Sequence, residues 1–312
     1  MSQPELSVLV DAVDAHGILP VATRNFRRIA KSDGARAIVA DLAAEEILDG
    51  MLAELDQRLI AILGRSLLLA SYESRISRAL AKDALAATVV KGPIFARRLY
   101  ETYSDRSFTD IDILVDPVAL EPIGEVLRGF GFHQLVGAPS RPGVQNEFKW
   151  HIPGNELVLV EIQTDLVHSA QPNGGIHLRY NDLLMAGGGD AEDATALLLV
   201  GAVHGVAGHQ FERLQPAVDV LRAVGGNGGK IDAGRLAKAA AATAATAALQ
   251  TALDVVGILF REGRCADLVS LLPPAPWRRL RTKLLSPAVV LRSQAANGAR
   301  DSWRRKGIRK LI

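Results

Sequence analysis

Hydrophobic positions in the first quarter of the chain recur at helical spacing. Leu6, Leu9, Val10 and Val13 form a short stripe before Gly17 and Pro20. From Ala43 to Leu80 the stripe is long, with Ile47, Leu48, Met51, Leu52, Leu55, Leu59, Ile62, Leu63, Leu67 and Leu68 repeating at a period of about 3.6. The pattern predicts helix across residues 4–82, with the long stretch either one helix or two broken near Gly64. The period changes at Ala86. Ala87-Thr-Val-Val90 is short, β-branched and apolar, which predicts a buried strand. Lys91-Gly92-Pro93 breaks it, and Pro93 suits the first turn of a helix reaching Tyr103. Residues 109–115 read as a second strand, and Asp116-Pro117 as a cap before a helix to about Gly129. Phe132 to Val136 reads as a strand and Gly137 to Gly143 as a loop. Asn146–Ile152 and Glu156–Gln163 alternate around Pro153-Gly154-Asn155, which has the chemistry of a hairpin turn. From Asp182 the pattern is helical again, near 191–207, 211–224 and 231–262, punctuated by glycine and proline clusters.

These elements predict an α+β fold. A small mixed β-sheet core occupies residues 85–180, flanked by an N-terminal helical region over 1–84 and a C-terminal helical domain over 181–312 that ends in a basic tail. The chain has 312 residues, 48% hydrophobic and 22% charged, which excludes a disordered protein. Its one cysteine, Cys265, excludes a disulfide within the chain and fits a reducing cytoplasm, with the thiol as a small buried hydrophobe. The N-terminus has no basic stretch followed by a long apolar one, and the most apolar run, Ala194 to Val203, is too short to span a bilayer. No transmembrane segment and a cytoplasmic location are therefore expected. The net charge of +2 hides an asymmetry. From Trp277 onward there are eleven Lys and Arg residues and one acid, Asp301, so the tail carries about +10 and the rest about −8. Such a tail suits a nucleic acid, a membrane surface or an acidic partner, or forms a solvated helix face.

The candidate chemistry starts at Asp110 and Asp112. Side chains two apart on a strand share a face, so the two carboxylates point the same way and Ile111 and Ile113 the other. Paired carboxylates repel and call for a cation, most often Mg²⁺ with a phosphate ligand. Upstream, Gly92 lets backbone approach a ligand, and a helix start there suits phosphate. In the return strand Glu161 and Gln163 share a face, and Glu161 brings a third acid if that strand lies beside the Asp110–Asp112 strand. Other polar residues read as structural. His204 and His209 are five apart, about 140° around an α-helix, and should not share a face. Asp219 reads as a cap or an arginine partner, and Trp150 and His151 as hairpin packing. Gly-Gly-Lys230 lacks the spacing and the following Ser or Thr of a Walker loop.

Lys91-Gly92, a helix containing Leu99-Tyr100, then Arg106-x-x-x-Asp110-Ile-Asp112-Ile-Leu-Val resembles the nucleotidyltransferase superfamily that includes DNA polymerase β. Within it the chain resembles the uncharacterised branch called nucleotidyltransferase-5. Gly129-Phe-Gly-Phe132, Val160-Glu161-Ile-Gln163 and the segment from Leu197 through His204, Arg213-Leu214 and Asp219 agree, so the resemblance covers roughly residues 85 to 225. Two departures stand out: Lys91-Gly92 replaces the superfamily's Gly-Ser turn, as is usual in this branch, and Gln163 replaces a histidine. The resemblance implies Mg²⁺-dependent transfer of a nucleoside monophosphate from an NTP, such as ATP, with pyrophosphate release. Asp110, Asp112 and Glu161 would be catalytic and hold one or two Mg²⁺ ions, or Mn²⁺. Lys91, Gly92 and Arg106 would bind the nucleotide. The acceptor is left open among peptide, protein, RNA and small molecule. The alternative is a non-catalytic nucleotide- or RNA-binding module with the same fold.

Overall fold

The long apolar stripe folds as one helix. The computed structural model of the chain describes residues 3–31, 42–135, 147–167, 175–292 and 303–312. At its N-terminal end α1 spans Gln3–Ala15, α2 Leu19–Ala30 and α3 Leu42–Lys82. Gly64 lies inside α3 with nothing within 4 Å of an added Cβ, so no neighbour forces a break there. Met51 and Leu55 of α3 are buried with Val10, Val13 and Leu19 in a small N-terminal core. Leu69, Ile76 and Leu80, further along the same helix, belong to the main core instead. One helix thus joins two cores.

The main core is built on a five-stranded sheet. Strands β1 (Ala87–Val90), β2 (Ile111–Val115), β3 (His133–Gln134), β4 (Glu147–Ile152) and β5 (Asn155–Gln163) lie in the order β1-β2-β5-β4-β3. β2 and β5 run parallel and the other neighbours antiparallel, so the sheet is mixed and the fold is α+β. Period-2 alternation gives the sheet one apolar face. Ile111, Ile113 and Val115 share it with Val158, Val160 and Ile162, all buried. Trp150, paired with Val160, joins them and packs on Gly124 of α5 (Leu120–Gly129), which bears out hairpin packing for this tryptophan. Strand β3 is only two residues long. Val136, the loop at 137–143 and Asn146 lie outside the described residues.

The helix after the Lys-Gly turn, α4 (Gly92–Leu99), stops earlier than its sequence predicts, because Tyr100 takes extended backbone and a 3₁₀ turn follows at Tyr103–Asp105. The Asp116 carboxylate accepts from Val118 N–H and caps the 3₁₀ turn leading into α5.

Beyond the sheet the chain is helical: α6 (Tyr180–Gly187), α7 (Ala194–Val203), α8 (Leu214–Val224), α9 (Ala233–Ala242), α10 (Thr246–Phe260), α11 (Gly263–Ser270), α12 (Arg278–Leu284), α13 (Pro287–Val290) and α14 (Trp303–Leu311). The most apolar run is α7, buried along its whole length. The single helix predicted over 231–262 is instead α9 and α10. Ala244 takes φ 56° and the Ala245 N–H closes back on the Ala240 carbonyl oxygen, a helix ending usually made by glycine. Cys265 is buried, and burial pushes its thiol up to about 12. Among the described residues no helix is long and apolar enough to cross a membrane.

His16, just after α1, fastens the N-terminal helices to the C-terminal ones. Its Nδ1 accepts the Leu214 N–H at 3.2 Å, and its Nε2 donates to the Leu291 carbonyl oxygen at 3.1 Å. This places a neutral ring between two backbone groups, and burial lowers its pKa.

Candidate active site

β1 ends at Val90 and the chain turns through Lys91, which takes φ 57° and ψ −131°. An L-residue rarely adopts this conformation, and the turn holds it in place. Gly92 follows, and an added Cβ there would meet the Asp110 carbonyl oxygen at 3.4 Å and the Phe108 side chain at 3.5 Å. The turn therefore rests directly on the segment that delivers Asp110. The strained backbone at Lys91 aims its ammonium inward, 2.9 Å from Asp112 Oδ1, with both side chains buried. Gln163 Nε2 donates to the same oxygen at 2.6 Å, while Gln163 Oε1 is buried with no hydrogen-bond partner among the described residues.

Parallel pairing of β2 and β5 sets Asp112 opposite Glu161, so the third acid stands beside the pair as the alternation predicts. Across the next strand Lys149 lies opposite Glu161 and donates to its Oε1 at 2.6 Å, and also sits 2.9 Å from Glu147. Asp110, in the bend just before β2, makes no hydrogen bond or close ion pair among the described residues. Burial raises its carboxyl above the ordinary carboxylate range and the Asp112 charge pushes the same way, against Lys91, Arg106 and Lys149. Burial pushes Glu161 up to about 7, opposed by the Lys149 hydrogen bond and aided by Asp112 and Glu147.

Arg106 is placed elsewhere than at the front of this turn. Its guanidinium is buried and forked on Asp219 of α8, with Nε to Oδ1 at 2.8 Å and Nη2 to Oδ2 at 2.9 Å. The Tyr100 hydroxyl donates to Asp219 Oδ1 at 2.7 Å, Arg106 Nη1 donates to the Gly92 carbonyl oxygen at 3.2 Å, and the guanidinium lies over the Phe95 ring. Arg106 thus props the turn through its backbone, and Asp219 is an arginine partner.

The two histidines overturn an expectation. Residues His204–Gly208 form a π turn, with the His209 N–H on the His204 carbonyl oxygen. Five residues make slightly more than one such wider turn, so the rings meet edge to face with centroids 4.6 Å apart. His209 Nδ1 lies 3.1 Å from Glu212. The α-helical angle assumed from the sequence does not apply to a π turn.

Of the residues singled out, the structure gathers Lys91, Gly92, Asp110, Asp112, Glu161 and Gln163. Lys149 was missed. Its alternation within the strand was visible, but its register against Glu161 was not. Among the described residues no three His, Cys, Asp or Glu side chains are arranged so that they could hold a metal ion. Asp112 Oδ1 and Glu161 Oε1 are each turned onto a lysine instead. The donor set still has the chemistry of a hard divalent cation: carboxylate oxygens, crowded enough that two of the three resist ionisation. A polar cavity of about 440 Å³ lies at the far end of the same strands, lined by Val115, Asp116, Thr164, Asp165 and Arg179 among others. Its carboxylates are already engaged. Asp165 accepts two backbone N–H groups, and Asp116 accepts from Val118 and Asn181.

No curated protein and no solved structure matches the chain. The family described as uncharacterised nucleotidyltransferase has a model that matches residues 2–261, and the chain belongs to that family.

Proposed function

We propose that the chain transfers a nucleoside monophosphate from an NTP to an acceptor hydroxyl or phosphate, releasing pyrophosphate in a Mg²⁺-dependent reaction. The observation that carries this is the in-register pair Asp112–Glu161 beside Asp110, a crowded carboxylate cluster in which burial raises Asp110 and Glu161. Mg²⁺, when bound, supplies positive charge against the triphosphate and the developing oxyanions. Asp110, Asp112 and Glu161 would hold it. Lys91 and Gln163 engage Asp112 Oδ1, so Oδ2 is the atom this residue offers. Lys91, a point charge on a flexible stem, would exchange the carboxylate for a phosphate oxygen. Gly92 and the α4 start receive the outer phosphates on backbone N–H groups. Glu161 would either complete the Mg²⁺ shell or, left unligated, take the acceptor proton as the acceptor oxygen bonds the α-phosphorus and the bond to the bridging oxygen of pyrophosphate breaks. Arg106 holds the turn rather than the nucleotide.

One observation favours the rival reading, a non-catalytic nucleotide-binding module. Lys91 and Lys149 already neutralise Asp112 and Glu161, so the acids persist without an ion. Incubation with each NTP labelled at the α-phosphate, Mg²⁺, and peptides, RNA or cell extract separates the two. Transfer of label that is lost in Asp110→Ala/Asp112→Ala supports the enzyme. Label moved equally well by the double variant sinks the mechanism, and tight NTP binding without transfer or pyrophosphate release supports the module.

A further inference from the structure

The basic tail contains two similar stretches with unequal spacing. Trp277-Arg278-Arg279 leads to Lys283-Leu284-Leu285, and Trp303-Arg304-Arg305 leads to Lys310-Leu311-Ile312. Each stretch forms a helix, α12 and α14. Both helices are anchored by their apolar sides. Leu284, Leu285 and Ile308 are buried in the main core, and Gly307 brings α14 against Leu284, where an added Cβ would lie 3.2 Å from Cδ1. What remains outside is largely basic and aromatic, with Leu280 and Leu291 exposed among it. Trp277 is 66% exposed and Trp303 71% exposed. Arg279, Lys283, Arg292 and Lys310 are exposed and have no carboxylate within ion-pair range among the described residues. Arg281 is the exception, buried on Thr251, Gln250 and the Pro276 carbonyl oxygen, so it holds the first stretch in place.

We propose that the α12–α14 face is a docking surface for single-stranded nucleic acid. Charge complementarity demands a polyanion, since this segment is about +10 on a chain whose remainder is negative. Exposed tryptophans beside arginine and lysine provide stacking platforms for unpaired bases, with cations for the phosphates between them. Leu280 and Leu291 are also exposed, but Leu284, Leu285 and Ile308 are buried in the main core, so neither helix offers the continuous apolar face by which a membrane-surface helix binds. A duplex hides the base faces that the tryptophans would stack on. This inference goes beyond the proposed transfer and stands independently of it.

The test uses the full chain without NTP or Mg²⁺, so its outcome is independent of catalysis. A fluorescein-labelled oligo(U) RNA of about 20 nucleotides is titrated across a range of salt. Expected are saturable binding, quenching of tryptophan fluorescence, and a log–log salt slope of about −0.7 for each phosphate contact. Trp277→Ala with Trp303→Ala should weaken binding about tenfold or more at unchanged salt slope. The corresponding Phe pair should lose less, and serves if the Ala pair misfolds. Arg279→Ala, Lys283→Ala and Lys310→Ala together should flatten the slope by roughly 2. Three results would overturn the proposal: no RNA binding; duplex RNA or heparin bound as tightly and regardless of the tryptophans; or anionic phosphatidylglycerol vesicles bound where RNA is not.

Discussion

Two groups of charges flank the Lys91-Gly92 turn, and they are built on opposite principles. Behind the turn, Arg106, Asp219 and Tyr100 form a buried network in which the fork, both carboxylate oxygens and the hydroxyl all have partners. In front of it, three acids crowd two lysines, Gln163 Oε1 has no partner among the described residues, and burial raises Asp110 and Glu161. The first group contains charge that is complete. The second contains charge that lacks a complement. A fold gains nothing from the second arrangement, which is why it reads as the place where a ligand is received.

The comparison can be broken first at its satisfied side. Asp219→Ala leaves the Arg106 guanidinium buried and uncompensated, and should cost roughly 3–5 kcal/mol in urea unfolding. Arg106→Met combined with Asp219→Leu should recover part of that loss. A double variant no more stable than Asp219→Ala would show that packing, not charge, carries the network.

On the crowded side the signs should reverse. Glu161→Gln should cut nucleotidyl transfer by about 10²–10⁴-fold while raising the melting temperature, roughly 2–4 °C for each kcal/mol relieved. The sign follows from linkage. The Glu161 carboxyl titrates at about 7 in the fold against an ordinary 4.5, so its penalty is absent below pH 4.5 and complete above pH 7. The gap between variant and wild type should open across that window in thermal melts, and a gap constant with pH would assign the gain to another cause.

A smaller effect belongs to His16. Its pKa lies below the ordinary 6.5, so its contribution is fully present above pH 6.5 and is lost as the pH falls through the lowered value. His16→Gln should flatten that acid limb of the stability profile, read by denaturant midpoint against pH. The smallest is a null effect. Cys265, buried with its thiol pushed up to about 12, should resist a thiol reagent at pH 8 until the chain unfolds. Fast labelling of the native protein would show that α10 and α11 open locally.

The site's frame was readable because it rests on local rules. Alternation put Asp110 and Asp112 together, a Lys-Gly-Pro run marked the turn, and period 2 aligned Glu161 with Gln163. What escaped depends on distant partners or on irregular backbone. Arg106 stands next to the acids in sequence, yet its partner Asp219 comes from α8, more than a hundred residues further along, and nothing local signals it. Pairing of Ile152 with Asn155 would carry Lys149 opposite Val158, but a register shift at His151/Ile152 moves it opposite Glu161. The break at Ala244 hides in an alanine-rich stretch that favours helix at every position. The π turn at His204 changes the angle on which any helical-wheel argument rests.

The ring of His16 bridges chain segments 275 residues apart at its contact with Leu291. On a ribosome adding about 5–20 residues per second, that acceptor follows the histidine by roughly 14–55 s. Helices α1 and α2 are therefore made early and fastened late. During synthesis their small core of Val10, Val13, Leu19, Met51 and Leu55 must hold without the clasp that later closes over it.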